Sequence, residues 1–225
     1  MNSKESLRQR LQHNPVSPAI GGGKVAEQLR RQDLYRQART VFATPAPFLR
    51  QIRINCLVDN KQLVLPTPGL KDGFFRIIPH TVPFRQLGTA LTESGLRRFG
   101  RRLEPGEKYG IDLLLTGALA VDRAGGRLGN GTGYFDLSCA LLSAYGWLAE
   151  NHQILAVVDR LQQVTEPLPR EPWDVTMTGV LTAAGCYLLH DQGRREYPIF
   201  WQQLGTDRIK KITPLWQLRN KKGAS

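Results

Sequence analysis

The chain has 225 residues, enough to bury one substantial core, and its 31 Lys/Arg against 19 Asp/Glu give a net charge of +12. Its longest apolar runs, such as Ile111 to Val121, are too short to span a bilayer, and MNSKESLRQRLQ lacks the apolar core of a secretory signal. A cytoplasmic protein is expected, with no disulfide framework or structural metal, because Cys56, Cys139 and Cys186 and His13, His80, His152 and His190 are scattered.

Residues 1–53 carry ten Lys/Arg against three acids and read as a basic, helical N-terminal arm packed on the core. A short helical pattern surrounds Leu7 and Leu11, and the prolines and glycines of HNPVSPAIGGGK then interrupt it. The stretch KVAEQLRRQDLYRQARTVF, Lys24 to Phe42, places Val25, Leu29, Leu34, Ala38 and Val41 at near-helical intervals and predicts a helix ended by Pro45 and Pro47.

Residues 54–191 are close to neutral and form the expected α/β core, although its first strand begins slightly earlier. QIRINCLV (residues 51–58) and KQLVLPTP (61–68) read as strands across the turn DNK. GIDLLLTGALAV (110–121) is apolar almost throughout, as in a strand covered on both faces. FDLSCALLSAYGWLAE (135–150) reads as a helix, and ILAVVD (154–159), VTMTGVLT (175–182) and CYLLHD (186–191) as strands. Strand, glycine-rich turn, helix and strand make a βαβ unit, hence a three-layer α/β/α sandwich around a mostly parallel, Rossmann-like sheet.

Residues 192–225 carry eight Lys/Arg against two acids. Trp201, Leu204, Ile209, Ile212 and Leu215 give this extension the means to pack on the core, so one structural domain is expected overall. The basic ends fit a polyanionic small molecule, a solvated face, or nucleic acid, although no nucleic-acid module pattern is present.

The segment GRLGNGTGYFD lies between a buried strand and a helix. Gly129, Gly131 and Gly133 allow positive φ and close approach of a ligand to the backbone, and a helix starting near Asp136 would aim free N–H groups at it. Arg127 adds a forked cation. The glycine spacing is neither that of a dinucleotide fold nor that of a P-loop, and GGGKV at Gly21 to Val25 also fails the P-loop pattern. On these residues alone the segment is either a phosphate cradle or a plain strand-to-helix turn. Asp136 on its own reads first as a helix cap, and Tyr134 and Phe135 are readable as core.

The segment resembles the signature R-L-G-x-G-x-G-Y-[YF]-D of the 5-formyltetrahydrofolate cyclo-ligase family, agreeing at Arg127, Leu128, Gly129, Gly131, Gly133, Tyr134, Phe135 and Asp136. KESLR supplies the family's K-x-x-L-R with Lys4, Leu7 and Arg8, and PREPWD resembles its closing P-x-x-x-x-D. The resemblance implies an ATP- and Mg²⁺-dependent ligase in which the formyl oxygen of 5-formyltetrahydrofolate attacks the γ-phosphate and the ring then closes to 5,10-methenyltetrahydrofolate. It implies ATP contacts at Lys4, Arg8, Arg127, Leu128, Gly129, Asn130, Gly131, Thr132, Gly133, Tyr134 and Phe135. It also implies folate contacts at Asn130, Gly131, Thr132, Gly133 and Tyr134, a metal ligand at Asp136, and catalytic roles for Arg127 and Asp136.

The chain departs from the family where a loop cation is common, since Asn130 and Thr132 are neutral. Thr178 stands four residues after Asp174, where a second metal-binding acid is usual, and no mid-chain acidic motif is recognisable between Gln51 and Pro66. These departures suit a divergent paralogue. Alternatives to the cyclo-ligase are therefore an enzyme of another formylated heterocycle, such as a thiamin-related one, or an impaired nucleotide- or nucleic-acid-binding protein. The expected partner is a small molecule, with the protein a monomer or homodimer.

Overall fold

The computed structural model describes residues 3–12, 22–189 and 196–222. Residues 13–21 of the Pro/Gly interruption, with His13 and Gly21, lie outside the described residues, as do His190 and the start of the basic extension, whereas Gly22, Gly23 and Lys24 of that interruption already belong to a helix. The N-terminal part contains α1 (Lys4–Gln12), α2 (Gly22–Arg30), α3 (Asp33–Gln37), β1 (Thr40–Ala43), α4 (Arg50–Val58) and β2 (Gln62–Pro66). Next come β3 (Phe74–Ile77), α5 (Leu87–Ala90), α6 (Glu93–Phe99), β4 (Gly100–Arg102) and β5 (Ile111–Gly117). The glycine segment is framed by β6 (Ala120–Asp122), β7 (Arg127–Leu128), α7 (Tyr134–Ala144) and β8 (Leu148–Val157). The chain closes with β9 (Gln163–Val164), β10 (Gly179–Leu181), β11 (Cys186–Leu188), α8 (Thr206–Lys211) and α9 (Thr213–Lys222).

Eight strands form one sheet in the order β11-β10-β8-β5-β1-β2-β3-β4. The five strands from β10 to β2 are parallel, and β11, β3 and β4 join antiparallel. Strand residues alternate between two cores, as period-2 geometry requires. Val41, Leu63, Leu113 and Leu155 pack with Leu29, Ile52 and Cys56 on one face. Phe42, Val64, Leu114 and Ile154 pack with Leu141, Ile209, Ile212 and Leu215 on the other. The result is the expected three-layer α/β/α architecture, and the apolar side chains of the C-terminal helices belong to its second core.

Three sequence expectations are corrected. QIRINCLV is helix α4, not a strand. Because β1 and β2 pair in parallel, the chain between them must cross over, and a hairpin cannot do this. The helix expected over residues 24–42 breaks after Arg30, and Thr40–Ala43 form the central strand β1, fully buried between β2 and β5. Burial on both faces there overrides the helical spacing. The helix expected to reach Glu150 stops at Ala144, where Gly146 takes φ +66°. Trp147 N–H donates to Leu142 O and Gly146 N–H to Ser143 O, closing a Schellman motif before β8 starts. In addition, β3, β4, α5 and α6 were not anticipated. At the sheet edge, β4 carries Arg101 and Arg102, charges that discourage further strand pairing.

All three cysteines are free thiols, with Cys56 and Cys139 buried and Cys186 partly so. Burial pushes the Cys56 thiol up to about 12 and the Cys186 thiol up to about 11 from ordinary values near 9. These thiols ionise earlier in the unfolded chain, so the stability they contribute is complete below pH ~8.5. It is lost as pH rises toward 11–12. The urea unfolding midpoint should therefore fall between pH 9 and pH 11, and Cys56→Ser together with Cys186→Ser should flatten that fall.

Candidate active site

The strand order reverses between β1 and β5: α4 carries the chain from β1 to β2 on one side, and α7 carries it from β5 to β8 on the other. Ligands of open α/β sheets bind at such a switch point, beyond the carboxyl ends of the strands. A cavity of about 910 Å³ lies there, with Thr44 to Phe48 following β1 and Thr116 to Leu119 at and just beyond the end of β5 on its walls. Phe48 packs where a side chain on Gly117 would stand, 2.4 Å from the Cβ position, so the glycine admits the aromatic ring to the pocket wall.

The glycine segment forms another wall, but it does not leave β5 directly. A short excursion through β6 and β7 intervenes, and β6 also pairs with β9 to give a separate three-stranded sheet. Asp122 ends β6 and secures the turn by accepting from Ala124, Gly126 and Leu168 N–H groups at 2.7–2.9 Å. Gly131 and Gly133 take φ of +91° and +66°, conformations that a side chain would strain. Asn130 Oδ1 accepts from both the amide and the hydroxyl of Thr132.

Helix α7 starts at Tyr134, two residues earlier than expected, because left-handed Gly133 turns the chain into it. Its first bond, from Leu137 N–H to Gly133 O, leaves the amides of Tyr134 to Asp136 outside the helical ladder, at the positive end of the helix. All three residues line the cavity. Phe135 is buried in the second core, whereas Tyr134 keeps 40 % of its surface exposed at the loop.

Asp136 lies within the first turn and does not cap the helix. One carboxylate oxygen accepts from Arg127 Nη2 at 2.6 Å, and the other accepts from Val175 N–H at 3.1 Å. Both side chains are about nine-tenths buried. The Arg127 guanidinium also lies 5.0 Å from the Phe135 ring centre, and its Nε has no partner among the described residues. A side chain on Gly129 would place Cβ 2.4 Å from Arg127 Nη1, so it would displace the guanidinium from its present position.

The N-terminal arm closes over the loop. Lys4 Nζ pairs with Asp174, and Arg8 Nε donates to Gly129 O at 3.0 Å. Leu7, between them, is buried against Ala120, Leu128 and Leu168. Lys4, Arg8, Arg127, Gly129, Asn130, Gly131, Thr132, Gly133, Tyr134, Phe135 and Asp136 therefore face one cavity. Leu128 stands apart: its side chain is 1 % exposed and its carbonyl accepts from Leu119 N–H. Thr178 is not on the cavity wall; its hydroxyl bonds the backbone of Ile154 in β8. The acids sharing the cavity with Asp136 are instead Glu5, Glu171 and Asp174. Asp174 could have been found from P-x-x-x-x-D, but the 44–48 wall could not be found once β1 had been read as helix.

Among the described residues no group of three or more His, Cys, Asp or Glu side chains is arranged to hold a metal. Magnesium is commonly held by one or two carboxylates together with substrate phosphates, and that smaller set is available. Each Asp136 oxygen accepts only one of the bonds above, leaving lone pairs for a cation.

The chain matches the 5-formyltetrahydrofolate cyclo-ligase family over residues 1–183 and belongs to that family. It is 26% identical over 211 residues to a methenyltetrahydrofolate synthase domain-containing protein of Bos taurus, covering 92% of this chain and 56% of that one. Against a 5-formyltetrahydrofolate cyclo-ligase of Mycolicibacterium smegmatis it is 42% identical over 91 residues, 40% of this chain and 43% of the other. The chain thus spans about half the length of these curated relatives. The fold is shared with 5,10-methenyltetrahydrofolate synthetase of Aquifex aeolicus, at a TM-score of 0.57 and 20% identity, over 86% of this chain and 95% of that one.

The buried pair yields a first test of the site's construction. Replacing Arg127 with Met leaves the Asp136 carboxylate buried without its cation, which should cost about 3 kcal/mol in urea unfolding. Arg127→Lys should recover only part of this, because an ammonium lacks the fork that reaches Asp136 while lying over Phe135.

Proposed function

We propose that the chain is an ATP- and Mg²⁺-dependent 5-formyltetrahydrofolate cyclo-ligase, forming 5,10-methenyltetrahydrofolate with release of ADP and phosphate. Family membership supports the reaction class. The observation that carries the assignment is the glycine loop, which brings Lys4, Arg8, Arg127 and the start of α7 to one cavity with Asp136. Phosphoryl transfer asks a protein mainly for positioned positive charge and donors, and this wall offers both.

In this reading Lys4, Arg8, Arg127 and the backbone from Gly129 to Phe135 bind ATP, while Leu128 serves only to anchor the loop to β6. Asp136, helped by Asp174, holds Mg²⁺, which when bound neutralises phosphate charge. Residues 130–134 border the pterin, and the half-exposed Tyr134 ring offers it a flat face. Pro45, Pro47, Phe48 and Trp173 supply apolar walls that restrict water near the reacting groups.

A paralogous activity on another formylated heterocycle is favoured by one feature. The wall from Thr44 to Phe48 has no carboxylate to recognise a pterin. With MgATP and 5-formyltetrahydrofolate, the purified protein should develop the near-ultraviolet absorbance of the methenyl product, and Asp136→Ala should lower the rate by at least ~100-fold. ATP binding in calorimetry without product would move the assignment to the paralogue.

A further inference from the structure

The family match ends at residue 183, yet the glycine loop is also held by a side chain beyond it. Arg208, on α8, donates from Nη2 to the Thr132 carbonyl at 2.7 Å, and its guanidinium carbon lies 5.0 Å from the centre of the Tyr134 ring. The same Nη2 would stand 3.9 Å from a Cβ placed on Gly133. The two contacts fall on Thr132 and Tyr134, on either side of Gly133, and none of these three residues is basic. The support is firm, because the neighbouring Ile209 is 2 % exposed and packs with Ile212 and Leu215 in the second core.

Arg208 is not on the cavity wall, whereas Thr132, Gly133 and Tyr134 are. It therefore acts through the peptide joining Thr132 to Gly133. In a planar trans peptide the carbonyl and the following N–H point in opposite directions. Drawing the Thr132 carbonyl outward to Arg208 turns the Gly133 N–H toward the cavity side. The guanidinium charge further polarises this peptide and strengthens the N–H as a donor.

We propose that Arg208 is a positioning residue of the ATP-binding loop, fixing the Thr132–Gly133 peptide and the Tyr134 ring, so that the C-terminal extension is part of the site. The role rests on the ATP reading given above. It also meets the loop's lack of an internal cation, since Asn130 and Thr132 are neutral: positive charge is delivered from outside the family-matched segment.

Calorimetric titration with MgATP and hydrogen–deuterium exchange across residues 129–134 test it in Arg208→Ala. The expected result is about tenfold weaker MgATP binding, the size of one lost charge-assisted hydrogen bond. Faster exchange in that loop should accompany it, with a melting temperature within about 2 °C of the parent protein. Unchanged affinity with unchanged loop exchange would overturn the proposal. So would an affinity loss matched by a large fall in melting temperature, which would make Arg208 a packing residue only. If the parent protein binds no ATP, the functional reading above fails, while loop exchange still decides whether Arg208 positions the peptide.

Discussion

The buried ion pair between Arg127 and Asp136 is the contact on which the site depends. It ties the start of β7 to the first turn of α7 across the glycine loop, and the Val175 amide on the second oxygen joins the approach to β10. Removing two charges from water is costly unless both are well partnered. Here the carboxylate is satisfied from both sides, whereas the buried guanidinium Nε has no partner among the described residues. The loop is held at both ends by this pair and between them by glycine geometry. Its amides are therefore oriented before a ligand arrives, which reduces the ordering that binding requires.

The uneven charge along the chain acquires a spatial meaning. Arg8 from the basic N-terminal segment, Arg127 from the near-neutral middle and Arg208 from the basic C-terminal segment all bond at the glycine loop, while Lys4 lines the same cavity paired with Asp174. The C-terminal helices do not form a loose basic arm, because Ile209, Ile212 and Leu215 are core residues. This weakens a nucleic-acid role for that segment, since much of it is committed to packing. No helix among the described residues is long and apolar enough to cross a membrane.

Much of this site was legible because glycine and charge leave local signatures. The spacing of Gly129, Gly131 and Gly133 beside Arg127 left a phosphate cradle and a plain strand-to-helix turn both open, and the family resemblance, which also supplied Lys4, Arg8 and the role of Asp136, favoured the cradle. The strand β1 was not legible, because Thr40–Ala43 continue a helical spacing and only pairing on both sides makes them a strand. Losing β1 concealed the switch point and with it the wall from Thr44 to Phe48. The helix α4 was hidden for the converse reason: alternating Ile52, Ile54 and Cys56 imitate a strand, and the parallel crossover decides otherwise. Arg208 had no local signal at all, since its importance arises from a contact across 76 positions.

The central claim is that this loop cradles phosphate through its backbone, and the most direct test is calorimetry of MgATP binding to Gly131→Val. With φ at +91°, this position cannot accept a β-branched residue without moving the loop, yet it lies outside the helices and strands. The account predicts that MgATP affinity falls by at least ~10-fold while the melting temperature changes by no more than about 3 °C. Parent-level affinity in the folded variant would contradict it.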